Sequence, residues 1–358
     1  MTFYQELQLN QAGSKSYIKT FEKKRDKLKH WAIFVFKILL TVAFSSGFVI
    51  LFGLIFGMEN CLAGLVVLLS IQAFRFSDFG MKNSHSIISI FIIYAILAGG
   101  PKLSGMLPVG WSFCVNLVCI FFIVLFGCRN VRCFNHATLV LSYLLLYGSP
   151  VSGTSYIKRL ICLAVGAVLT SLVFFRNHRK KNECKDGILE LFTGFVLTDE
   201  RTRWQIRFCI CVSCAVLISS IFGASKPVWA GIAAMSVCSP FKDTVGDRSK
   251  FRVLGNIFGC LLFIAFYLLL PNELVAYFGY FGGFCAGFCA LYGWQTIFNT
   301  FSALSFASSV LGVWGAIIFR ILNNAFGAIF ALAIDRIVEP LLLLLSRIPV
   351  KKRKVEDG

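Results

Sequence analysis

Four positive charges fall where the chain is otherwise apolar. Lys37, Arg159, Arg207 and Arg320 each lie inside or at the edge of a long aliphatic and aromatic run. A cation in hydrocarbon is costly unless it faces a wet cavity or a partner, so such positions are the first candidates for function. Guanidinium groups can hold a carboxylate through two parallel hydrogen bonds, which makes Arg320 and Arg159 candidate substrate-binding residues. The alternative for Arg159 is snorkelling to the outer headgroups, and for Lys37 to the inner ones. The carboxylates are placed differently: Glu59 and Glu273 fall in outer loops, and Asp78, Asp243, Asp247, Asp335 and Glu339 at inner ends. With no acid at mid-membrane, a cation pathway or a buried proton relay is disfavoured, and an anion pathway is the electrostatic fit. Any coupling would have to run through Asp78, Asp243 or Asp247.

Signatures of soluble catalysis are missing. There is no phosphate-binding glycine loop, no dinucleotide fingerprint, no nucleophile elbow and no HExxH. The four histidines, His30, His85, His136 and His178, have no cysteine at a metal-ligand spacing. Neither a catalytic residue, a cofactor nor a metal is expected. A lipid-modifying enzyme would need His or acids clustered on one face, and this sequence offers none.

The elements that must position these charges are membrane helices. Of 358 residues, 57% are hydrophobic and only 15% charged, with mean hydropathy +0.77, beyond what a soluble core and surface can carry. Apolar runs recur at 32–56, 61–75, 86–101, 108–127, 136–151 and 157–176, and again at 206–223, 227–240, 251–270, 274–292, 297–312 and 315–335. The expectation is an all-α polytopic membrane bundle of about 12 transmembrane helices, the first one permanent rather than a cleaved leader. Leu341–Leu345, after Pro340, is too brief to span and is expected at the interface.

The net charge of +18 would suggest nucleic acid in a soluble protein, but here it marks orientation. With the N-terminus inside, all but five of the 35 Lys and Arg lie on the inner side, the exceptions being Lys102, Lys158, Arg159, Lys226 and Arg320. That reading puts the chain in a plasma membrane, a bacterial inner membrane being the best fit, with both termini cytoplasmic. Most of the 14 cysteines sit within apolar runs as small packing residues. The glycines of Phe278–Gly287 allow close helix contact, and the tail Lys351–Val355 is a basic segment near anionic lipid.

An internal repeat organises the spans. Ala63-Gly64 and Phe74-Arg75 match Ala230-Gly231 and Phe241-Lys242 at an offset of 167; Phe134-Asn135 matches Phe298-Asn299 at 164; Arg159-Leu160 and Gly166-Ala167 match Arg320-Ile321 and Gly327-Ala328 at 161. Six helices per half give both halves one orientation, so these form parallel repeats. Asn135 and Asn299 join the arginines as paired candidate binding residues. The expected organisation is a basic N-terminal segment over 1–31, a first repeat over 32–176, a linker over 177–205, a second repeat over 206–347 and a basic tail over 348–358. In the linker, Ile188, Leu191, Phe192 and Phe195 fit a short amphipathic helix lying on the inner surface or capping the bundle.

Lys226-Pro227-Val228-Trp229-Ala230-Gly231, then Ser239-Pro240-Phe241, then Phe251-Arg252-Val253-Leu254-Gly255-Asn256-Ile257-Phe258-Gly259 resemble the fusaric acid resistance and aromatic acid exporter superfamily. Phe319-Arg320-Ile321-Leu322 with Gly327 resembles its closing helix. The resemblance covers roughly 205–335 and is weak over 32–176. It implies export of aromatic or other organic carboxylates, or anion conduction, with six-helix units paired around a pore, and it adds Arg252 as a binding candidate. The expected partners are a small organic anion and the bilayer, with no nucleic acid, and a second copy of the chain is the candidate protein partner. The rival expectation is a non-transporting membrane scaffold for envelope or lipid machinery, its arginines binding lipid phosphates.

Overall fold

A computed structural model describes residues 1–180 and 186–347. The basic run Lys351–Val355 and Lys181 lie outside the described residues. Two short helices, α1 (Phe3–Gln8) and α2 (Gln11–Lys19), precede α3 (Lys24–Phe56), α4 (Cys61–Phe74), α5 (Asn83–Met106), α6 (Val109–Gly127), α7 (Asn135–Tyr147) and α8 (Gly153–His178). A single turn, α9 (Leu189–Thr193), leads to α10 (Glu200–Ile221), α11 (Val228–Val237), α12 (Val245–Leu269), α13 (Phe278–Gly287) and α14 (Tyr292–Ser346). No strand occurs among the described residues.

Six helical segments are long and apolar enough to cross a membrane: α3, α5, α6, α8, α10 and the segment Lys242–Leu269 containing α12. This is a multi-pass membrane protein. Its helices are less uniform than the apolar runs suggest. α4 has 14 residues, α7 has 13, and α11 and α13 have 10 each; at ~1.5 Å per residue they fall short of a ~30 Å hydrocarbon layer. The run expected at 61–75 coincides with α4, while those at 136–151, 227–240 and 274–292 extend several residues past α7, α11 and α13; all four form short helices. The causes are local. α4 starts after Gly57 (φ 95) and a 3-10 turn, α7 after Phe134 (φ 53), α11 lies between Pro227 and Pro240, and α13 follows the 3-10 turn Asn272–Tyr277.

The last two expected spans meet in one 55-residue element, α14, interrupted at Gly312 with φ 68 and ψ 163. That left-handed conformation suits glycine, which has no Cβ to clash. Beyond it the helix continues through Pro340 into Leu341–Leu345, so the leucine run extends a helix instead of forming a separate interfacial piece. α3 begins at Lys24, extending the first apolar run into the basic segment.

The largest core joins Val67 of α4, Tyr94 of α5, Ile123 of α6, Tyr143 of α7 and Leu163 of α8, and it continues without a break into Val212 of α10 and Ala230 of α11. Gly231 lies against Val216 of α10 and Leu144 of α7, and the Gln205 amide donates to the Val124 carbonyl at 3.3 Å. A second core gathers Phe263 of α12, Phe278 of α13, and Phe301 and Ile317 of α14. The linker caps the bundle: Phe195 packs edge-on to Phe121 at 5.4 Å and Phe192 to Phe126 at 6.0 Å, while Leu191 is buried. Its backbone is pinned to the start of α5, the Ile188 N–H donating to His85 Nδ1 at 3.1 Å.

Candidate functional site

Arg320 reaches its position through the packing of α14 on α11. Gly327 lies seven residues further along α14, on the same helix face, and a Cβ there would overlap the Ala230 carbonyl oxygen. Small residues of this kind let two backbones approach closely. The approach lays the Arg320 guanidinium over the Trp229 ring, 5.0 Å from its centre. From the other side α12 packs on α14 through Gly255 and Gly259, where a Cβ would meet Thr296 at 2.9 Å and the Ile297 carbonyl at 2.6 Å. Arg252, four and seven residues before Asn256 and Gly259, is carried on that helix.

Asn324 holds the Arg252 side chain and bonds the backbone of Arg320. Its Oδ1 accepts from Arg252 Nε at 3.1 Å and Nη2 at 2.8 Å, and its Nδ2 donates to the Arg320 carbonyl at 2.9 Å. Arg320, Arg252, Asn324 and Trp229 are all buried, Arg320 to 4% exposure. Among the described residues neither arginine has a carboxylate within ion-pair distance, and Arg320 Nε has no hydrogen-bond partner. Two buried cations and a free donor make a local field that favours an anion.

The other candidate residues are held differently. Arg159 is buried, with Nε donating to Asn60 Oδ1 at 3.0 Å, Nη1 to the Ser149 carbonyl at 2.7 Å and Nη2 to the Glu59 carbonyl at 3.4 Å. It does not snorkel to headgroups; it ties the start of α4 to the loop between α7 and α8. Asn135 donates to the Asp78 and Gly127 carbonyls, both at 2.8 Å, and its Oδ1 is unpaired. Asn299, by contrast, is exposed on α14. No hydrogen bond joins either asparagine to the Arg320 and Arg252 pair.

Arg207 is held by carboxylates and Lys37 by the N-terminal helices. Arg207, 1% exposed, lies 2.9 Å from Asp335 and 3.0 Å from Glu339; the Asp335 contact is within ion-pair distance but off hydrogen-bond geometry. Arg203 at 3.3 Å and Lys242 at 2.8 Å complete the cluster on Glu339. Burial pushes the Glu339 carboxyl up, but hydrogen bonds from Lys242 and Arg203 and the charge of Arg207 overcome it and hold the group below the usual carboxylate range. Lys37 donates to Ser14 Oγ and the Leu9 carbonyl, which fastens the N-terminal helices to α3.

Sequence reasoning passed over Asn324, although an Asn-Asn pair three and four residues after an arginine inside an apolar run was a visible signal. It also passed over an uncharged cavity of about 100 Å³ among α5, α6, α7 and α10, lined by Ser104, Ser112, Asn116, Tyr147, Val216 and Ser220. There Ser104 Oγ donates to Asn116 Oδ1 at 2.9 Å, and the Tyr143 hydroxyl donates to the same oxygen at 2.7 Å.

Trp229, Arg252, Arg320 and Asn324 all fall within residues 214–334, which match the model of the fusaric acid resistance protein-like family. Over this third of its length the chain is similar to that family. The resemblance read from the Pro-Val-Trp and Arg-x-x-Gly patterns therefore holds there, and the matched stretch contains the arginine pair while leaving Arg159 and Asn135 outside it. No curated protein and no solved structure matches the chain.

Proposed function

We propose that this fusaric acid resistance-like protein carries small organic anions, aromatic or other carboxylates, across a plasma membrane, with Arg320 and Arg252 as the anion site. The observation that carries the reading is the pairing of two buried guanidinium groups with no carboxylate beside them and one of their donors free. Such an arrangement costs stability when empty, and an anion that desolvates into it offsets that cost. Trp229 adds an apolar face against which an aromatic acid could stack.

The same proposal includes two parallel six-helix repeats, 32–176 and 206–347, joined by the linker 177–205 and flanked by basic cytoplasmic segments at 1–31 and 348–358. Its support is a recurrence of contacts. Gly166 of α8 packs on Val67 of α4 as Gly327 of α14 packs on Ala230 of α11, and Arg159 and Arg320 each engage the start of the short helix, at Asn60 and Trp229. A path where the halves meet fits the neutral cavity between α6, α7 and α10.

The test is flux of a panel of aromatic and aliphatic carboxylates into proteoliposomes, with wild type and Arg320→Gln. Carboxylate-selective flux that is lost in the variant supports the reading. Flux that is indifferent to Arg320→Gln, or no flux for any carboxylate, removes it.

A further inference from the structure

Away from the arginine pair, a groove of about 420 Å³ opens where α2 crosses the turn between α13 and α14. Phe288, Leu291, Trp294 and Phe298 form its apolar wall, and Lys15 supplies a cation. No carboxylate lines it, and Lys15 forms no ion pair among the described residues. The wall is built rather than incidental: Phe288 packs edge-on to Phe34 of α3 at 5.4 Å, and Ile18 of α2 joins Phe34 and Ile38 in a small core with Phe284 and Phe288. This core holds α2, and with it Lys15, over the groove.

The surroundings specify an amphiphile. Trp294 is 57% exposed and Leu291 68%, an apolar surface open to the outside of the bundle. A tryptophan beside a lysine is the side-chain pair that settles at the headgroup level of a bilayer. The adjoining segment carries Lys19, Lys23, Lys24, Arg25, Lys27 and Lys29 against only Glu22 and Asp26, so the local field attracts negative headgroups. α1 adds exposed Phe3 and Tyr4. A groove of this size accommodates a good part of one acyl chain.

We infer that this groove binds one acidic phospholipid of the inner leaflet, its headgroup phosphate on Lys15 and an acyl chain along Phe288, Trp294 and Phe298. The site is separate from the Arg320 and Arg252 pair and does not depend on transport. Bound there, the lipid joins the N-terminal helices to the turn between α13 and α14.

Native mass spectrometry of the full chain, with equal amounts of phosphatidylglycerol and phosphatidylcholine, tests this. Wild type is expected to retain one phosphatidylglycerol in preference. Lys15→Gln should lower that retention about five-fold, the effect of about one basic residue at a membrane surface, and leave phosphatidylcholine unchanged. Trp294→Ala should weaken both lipids. Lys19→Gln, altering an exposed charge outside the groove, should have little effect; if it matches Lys15→Gln, the preference is diffuse surface charge and the site is disproved. Displacement of the lipid by inorganic phosphate alone would show a free-anion site instead, and equal retention of the two lipids would remove the inference. Gel filtration and thermal unfolding of Lys15→Gln establish that any loss is not misfolding, and flux measurements are not needed.

Discussion

The Arg320 guanidinium sits 5.0 Å from the centre of the Trp229 ring, both side chains buried. A desolvated cation over an indole face is worth about 2 kcal/mol, against about half that at an exposed site. Trp229→Leu keeps an apolar side chain at the position and removes the ring quadrupole. It is expected to lower the thermal stability of the purified protein by about 1–2 kcal/mol, with Trp229→Phe between it and wild type. Equal melting of the Leu and Phe variants would mean that the ring contributes bulk alone.

Gly327 sets the distance between α14 and α11. A Cβ at 327 would overlap the Ala230 carbonyl and come within 2.9 Å of the Ala233 Cβ, and neither backbone can yield without moving a helix. Gly327→Ala is expected to cost about 1–3 kcal/mol, the range for overpacking, and Gly327→Leu to abolish folding. Gly99 of α5 is the control, because nothing lies within 4 Å of the position its Cβ would take. Gly99→Ala should be neutral or slightly stabilising in the same unfolding assay.

The Glu339 cluster makes stability depend on pH. Because its carboxyl is held below the usual range in the folded protein, the stability it adds is complete above the unfolded value of about 4.3 and is lost as pH falls through the lower folded value. Melting temperature should therefore fall on acidification below about pH 4.3, and fall less steeply in Glu339→Gln. Arg207→Met leaves Glu339 and Asp335 without their most buried partner and should cost about 3–5 kcal/mol at neutral pH. Adding Glu339→Gln to Arg207→Met should restore part of that loss; a purely additive double variant would argue against coupling.

These sites differ in how far they could be read from the residues alone. Charges within apolar runs stand out by contrast, which is why Arg159, Arg207 and Arg320 were visible as unusual. Their partners were not. Glu339 lies 132 positions from Arg207, and Asn60 lies 99 from Arg159, so only the folded chain decides which arginine is neutralised and which is left free. The ends of α6 were legible, 108–127 against Val109–Gly127, because Pro108 and Cys128-Arg129-Asn130 bound an uninterrupted apolar run. α11 was overextended, 227–240 against Val228–Val237, for a physical reason. Irregular backbone buried against neighbouring helices can stay apolar in sequence, so hydropathy continues past the point where the helix stops.

Arg159 and Arg320 occupy matching places in the sequence, yet their environments predict different roles. All three Arg159 nitrogens donate to protein oxygens, whereas Arg320 Nε donates to none. Arg159→Gln should therefore act on stability, and its effect should overlap with that of Asn60→Ala, since both break the 3.0 Å bond between them. A double-mutant cycle is expected to give a coupling of about 0.5–3 kcal/mol, with the double variant less damaged than the sum of the singles. In the flux assay Arg159→Gln should preserve the rank order of carboxylates in whatever protein remains folded, while Arg320→Gln removes transport at unchanged yield. Loss of flux in Arg159→Gln with stability and coupling intact would place Arg159 on the anion path, and the first half would then contribute a binding charge of its own.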